Sequence, residues 1–80
     1  MITGDQLKAA RSVSGFSVQQ LSDVTGLATM TIKRYEMSQG VPKSRKGHLE
    51  LLKSFFEARG IEFVGAPDAG PGIRIWKRGD

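Results

Sequence analysis

The stretch VTGLATMTIKRYE, Val24 to Glu36, places a glycine, Gly26, inside what otherwise has the periodicity of one amphipathic helix. If one helix ran unbroken from Val18 to Ser38, Gly26 would cost it about 1 kcal/mol relative to alanine, and Thr25 and Thr31 are weak helix formers too. If Gly26 instead supplies a positive-φ corner, Leu27 drops into the core and a new helix opens at Ala28 or Thr29, crossing the one before it. A corner gives the glycine a role. Small Ser22 then lets the two helices approach closely, and Leu21, Leu27, Ile32 and Tyr35 fill the angle between them.

Outward from this corner, Gly15, Gly26, Gly40 and Gly60 each close a periodic segment. Thr3 and Gln6 have capping-box spacing, and Leu7, Ala10, Arg11 and Ser14 share one face of a first helix that stops at Gly15. Ser17 and Gln20 repeat that spacing, so a second helix starts near Val18, with Leu21 and Val24 among its apolar positions. A third runs from Ala28 or Thr29 to about Ser38. SQGVPKSRKG follows as a loop, since Gly40 and Pro42 oppose helix continuation. HLELLKSFFEARG predicts a fourth helix, with Leu49, Leu52 and Phe56 as one stripe and Leu51 and Phe55 as a second.

After Gly60 the period changes from helical to alternating. IEFVG and GIRIWK are two short strands joined by APDAGP, a link dense in turn formers. A lone two-stranded hairpin is marginal in water, so it must pack on the fourth helix or pair with another copy. Ile61, Phe63, Ile73 and Ile75 are expected on one side, with Val64 and Trp76 on the other. The expected fold is mostly α, with a four-helix unit over residues 1–60 and a C-terminal β-hairpin over 61–80.

Two short helices meeting at a glycine corner form a helix-turn-helix. LKAARSVSGFSVQQLSDVTGLATMTIKRYE resembles the Xre/Cro-type, phage-repressor-like helix-turn-helix transcriptional regulators. The matching features are capping Ser17, Leu21, small Ser22, Gly26 in the turn, Leu27, Ile32, and Glu36 after the large Tyr35. The resemblance covers about residues 3–59 and implies an ion pair between Arg11 and Glu36. Two positions depart from the family pattern: Val18 stands where a DNA-contacting glutamine is common, and Ser38 replaces the usual asparagine or glycine. The tail GIEFVGAPDAGPGIRIWKRGD is similar to the terminal hairpins of many short members. That similarity implies dimerisation, with Phe55, Phe63, Val64, Ile73, Ile75 and Trp76 as the expected surface.

On the third helix, Ala28, Ile32 and Tyr35 share an inward face by spacing, which turns Thr29, Met30, Lys33, Arg34 and Met37 outward. In the matching motif the residues at Thr29, Met30 and Arg34 are those that reach base edges. Arg34 suits a bidentate contact to guanine and Met30 a thymine methyl, while Lys33 on the flank is expected to meet phosphate. Ser17 and Gln19, at the head of the second helix, are expected beside a phosphate at the positive dipole end. Lys43, Arg45 and Lys46 lie where the family clamps the DNA backbone. Plainer readings stand beside these. Lys33 and Arg34 also fit a solvated helix face, Lys43 to Lys46 a solvent loop, and Met30 and Met37 core filling if the helix is rotated. His48 is expected at the surface or in the first turn of the fourth helix.

The 80 residues carry a net charge of +4, confined to the first half. Residues 1–46 hold seven Lys/Arg against three acids, whereas residues 47–80 hold five of each sign. Five of those cations fall between Lys33 and Lys46, which points to a polyanion. There is no cysteine and one histidine, His48, so no disulfide framework or zinc site is expected, and no cofactor. No apolar run approaches the roughly 18 residues needed to span a bilayer, and no secretory leader is visible, so a bacterial cytoplasmic setting near the nucleoid is the expectation.

Double-stranded DNA is the expected partner and a homodimer the expected state. Repression by occlusion, an antitoxin-like role and a small phage or plasmid regulator all fit. A protein-interaction module on the same scaffold is the alternative, supported by Val18 and by the apolar Met30 and Met37. No paired carboxylates, nucleophile–base set or phosphate loop suggests an enzyme.

Overall fold

The structure, a computed structural model, describes residues 1–76. Residues 77–80, including Lys77 at the end of the expected second strand, lie outside the described residues. Four helices, α1 (Gly4–Val13), α2 (Val18–Thr25), α3 (Thr29–Met37) and α4 (His48–Glu57), precede an antiparallel hairpin of β1 (Ile61–Ala66) and β2 (Ala69–Ile75).

The two expected capping boxes form. The Thr3 hydroxyl accepts from the Gln6 N–H and the Ser17 hydroxyl from the Gln20 N–H, while each glutamine carbonyl accepts the N–H of its capping residue. At the corner Gly26 has φ 80°, and its N–H closes α2 on the Ser22 carbonyl at 2.8 Å. Thr25, weak as a helix former, serves the turn: its hydroxyl donates to the Leu21 carbonyl and accepts the Leu27 N–H. Leu27 is thereby delivered to the core.

Leu21, Leu27, Ile32 and Tyr35 are all buried, together with Ile2, Leu7, Ala10, Leu52, Phe56 and Ile61. The core is therefore continuous from the first residues through the helices into β1. Gly4 lets α1 meet α3 closely, because a Cβ there would stand 2.5 Å from the Tyr35 carbonyl oxygen and 2.6 Å from that of Ser38. Leu51, in the second apolar stripe of α4, is 43 % exposed, and two further expectations within the helices fail. Val24 is 53 % exposed, because no described element covers the side of α2 that it shares with Gln20 and Asp23. Ala28 is exposed as well, since it precedes α3 in extended conformation and the helical spacing to Ile32 does not apply to it.

The hairpin is longer than expected. β1 and β2 extend through much of APDAGP, leaving Pro67 and Asp68 as the turn, with a register irregularity between Val64 and Ala66. Ile61 pairs with Ile75 and Phe63 with Ile73, so these four share a face. That face meets the helices rather than solvent at Ile61 and partly at Phe63 and Ile73, but Ile75 at the strand end is 54 % exposed. β1 packs on α4 and β2 on α1. The buried Gln6 amide joins both strands, donating to the carbonyls of Val64 at 3.0 Å and Gly72 at 2.8 Å. The chain's radius of gyration is 11.7 Å, close to the value of about 12 Å for a compact domain of this length. The hairpin is thus part of the body and not an extended arm.

Candidate functional site

The site builds from α3. Its nine residues place Ile32 and Tyr35 inward, and Met30, Lys33, Arg34 and Met37 outward and exposed; Thr29, in the first turn, is half-buried. Unlike α1 and α2, this helix has no side-chain cap at its N-terminus, so the first-turn N–H groups have no partner from a capping residue.

The only acid on α3, Glu36, is 8 % exposed and faces inward. Its carboxylate accepts from Arg11 Nε at 2.6 Å and from a second Arg11 nitrogen at 3.0 Å, while the remaining arm of that guanidinium donates to the Phe16 carbonyl at 3.0 Å. Donating to the Glu36 carboxylate holds the Arg11 guanidinium above its already high ordinary value, against the opposing effect of burial. The expected pair is therefore present, and it removes the sole negative charge from the outer face. What remains outside is positive.

An open groove of about 1000 Å³ runs along α3, lined by Met30, Lys33, Arg34, Tyr35, Met37, Arg45 and His48 among others. Arg34 is steadied at its base, with its guanidinium 5.5 Å from the centre of the Tyr35 ring. Arg45 enters this groove through an arrangement that sequence spacing did not reveal. The Tyr35 hydroxyl accepts the Arg45 backbone N–H at 3.3 Å and lies 2.8 Å from His48 Nδ1. His48 sits in the first turn of α4, as expected, but as the anchor that fixes the loop beside α3. Thirteen residues separate it from Tyr35, and no local pattern joins them.

Other site residues lie elsewhere. Lys46 borders a second cleft of about 450 Å³ with Met1, Glu50 and Lys53, and Lys43 is exposed on the loop. Arg45 is the residue common to both clefts. At the head of α2, Ser17 is exposed with its oxygen occupied in capping, and the Gln19 amide donates to Asp23 at 3.0 Å. Val18 is half-buried against the core, which accounts for an apolar residue at that position.

Of the residues expected at a dimer surface, Phe55 engages its own chain. Its ring stands edge-on to Phe16 at 5.5 Å and carries the Arg59 guanidinium at 3.8 Å. Phe63 meets Phe56 at 6.5 Å and Ile73 lies partly against the core. Val64 is half-buried, whereas Ile75 and Trp76 stay open. Trp76 donates its indole N–H to Glu62 at 2.8 Å, and Arg74 bridges to the same carboxylate at 3.1 Å, a cross-strand cluster on the outer face.

Among the described residues, no helix is long and apolar enough to cross a membrane. Comparison with protein-family models, with curated proteins and with solved structures gives no match to this chain.

Proposed function

We propose that the chain is a sequence-specific transcriptional regulator of the helix-turn-helix type, a repressor that binds double-stranded DNA as a homodimer and lays residues 29–37 in the major groove. One observation carries this: the outer face of α3 exposes Lys33 and Arg34 beside Arg45 in a single groove, while its one acid, Glu36, is buried against Arg11. An exposed cationic helix face with its acid withdrawn suits the major groove, where an arginine reads guanine O6 and N7.

Arg34, Met30 and Thr29 are assigned to base edges. Lys33, Arg45, Lys43 and Lys46 are assigned to phosphates, with Ser17 and Gln19 beside the backbone at the head of α2. The dimer would present two such faces to half-sites about one helical turn apart. Ile75 and Trp76, large apolar side chains exposed at the end of the hairpin, support a contact between copies.

Selection from a random duplex pool tests the function. It should enrich a pseudo-palindrome, with affinity falling steeply as salt rises and counterions are released. Arg34→Ala should relax preference at one base position, about 1–3 kcal/mol of discrimination. Lys46→Ala should weaken all sequences alike. A second reading, a protein-interaction module, is favoured by the exposed thioethers of Met30 and Met37. It gains if no sequence is enriched and binding at low salt is weak.

A further inference from the structure

We propose that α3 reads the C5-methyl groups of two pyrimidines, thymine or 5-methylcytosine, on either side of a guanine, through a stripe formed by Met30, Arg34 and Met37. The inference rests on the DNA-reading function above and names the base chemistry that its site would recognise.

The stripe follows from helix geometry. Residues 30, 34 and 37 fall within an arc of about 60° on the helix surface, so one line of side chains faces outward. Along the axis Met30 lies about 6 Å before Arg34, and Met37 about 4.5 Å after it. The two methionines are thus set about 10 Å apart along the helix axis, with the arginine between them. Met30 is 75 % exposed and Met37 83 % exposed, and both line the same open groove as Arg34.

Two unbranched apolar side chains held in water beside a cation are poorly matched to solvent. They are well matched to the floor of a major groove, where the pyrimidine C5-methyl is the apolar feature and guanine O6 and N7 are the paired acceptors. Thioether side chains also adapt their shape to small apolar groups. Charge selects DNA over an apolar protein surface: Lys33 and Arg45 line the groove with Arg34, and the sole acid of α3 is turned away and paired. The Tyr35 ring, 5.5 Å from the Arg34 guanidinium, steadies the cation that would meet the guanine between the two methionines.

The test uses the full chain and the duplex enriched from a random pool. Each thymine is replaced in turn by uracil, which removes only the methyl group, and each cytosine by 5-methylcytosine. Two positions flanking one guanine should each lose about fourfold in affinity on loss of the methyl, the weight of one buried carbon. Met30→Ala should abolish the methyl preference at one of these positions and Met37→Ala at the other, with the guanine preference kept in both. Both side chains are exposed, so far-ultraviolet circular dichroism should be unchanged. Enrichment of a sequence in which uracil binds as well as thymine everywhere overturns this inference and leaves the DNA-reading function standing. So does a methyl preference that survives both substitutions. A pool from which nothing is enriched overturns both.

Discussion

Single atoms decide much of this molecule, and two glycines show opposite reasons for being glycine. Gly26 has open space around a would-be Cβ but a backbone at φ 80°; Gly26→Ala should therefore cost about 1–2 kcal/mol through conformation alone, read as a lower midpoint in urea with unchanged slope. Gly4 has ordinary helical backbone but carbonyl oxygens of α3 at 2.5 and 2.6 Å from that position. Gly4→Ala should cost about 1–3 kcal/mol by forcing α1 away from α3. The Arg11–Glu36 pair behaves differently again. Either single alanine leaves a charge with little water and no partner, costing about 2–3 kcal/mol, less than for full burial because the guanidinium keeps some solvent. The double alanine should cost less than the sum, so a double-mutant cycle in urea should give a favourable coupling energy. Because the pair raises the arginine value, its contribution is complete below the unfolded arginine value and is lost only as pH climbs through the still higher folded one. On the arginine side, then, the coupling should not change from neutral to moderately alkaline pH.

At the scale of elements, the helices were legible because their ends are written in local chemistry. Thr3–Gln6 and Ser17–Gln20 spell capping boxes, and Gly15, Gly26 and Gly60 mark stops. The outward face of α3 followed from spacing once the corner was placed. Spacing failed at Ala28, where a helical period was extended one residue beyond the helix, and at Val24, where an apolar residue met no neighbour. Contacts between distant segments left no local trace. The Tyr35 hydroxyl joins α3, the basic loop and α4 through Arg45 and His48. Tyr35→Phe should strand the Arg45 N–H and His48 Nδ1, costing about 1–2 kcal/mol. It should also weaken any polyanion bound through Arg45 without altering base preference. Titration with a short DNA duplex separates that outcome from a mere loss of fold, which circular dichroism would register.

For the whole molecule, the division between helical unit and hairpin implied by the change of period at Gly60 is not a division of the core. Ile61 is 1 % exposed and belongs to the same cluster as Leu7 and Phe56. Ile61→Ala should cost about 2–4 kcal/mol and lower the single unfolding transition of the entire chain. Two transitions in calorimetry would mean that the hairpin melts by itself. The buried Gln6 amide adds a consequence in time. Its bonds to Val64 and Gly72 span 58 and 66 residues of chain, so the seat of α1 is complete only when both strands have arrived. Contacts between such remote segments demand the closure of nearly the full loop before they return any free energy, which slows folding relative to a bundle built from neighbours. A nascent chain stalled before Gly72 therefore lacks one of the two strand anchors of Gln6, and α1 in it should be cleaved faster by protease than in the finished chain.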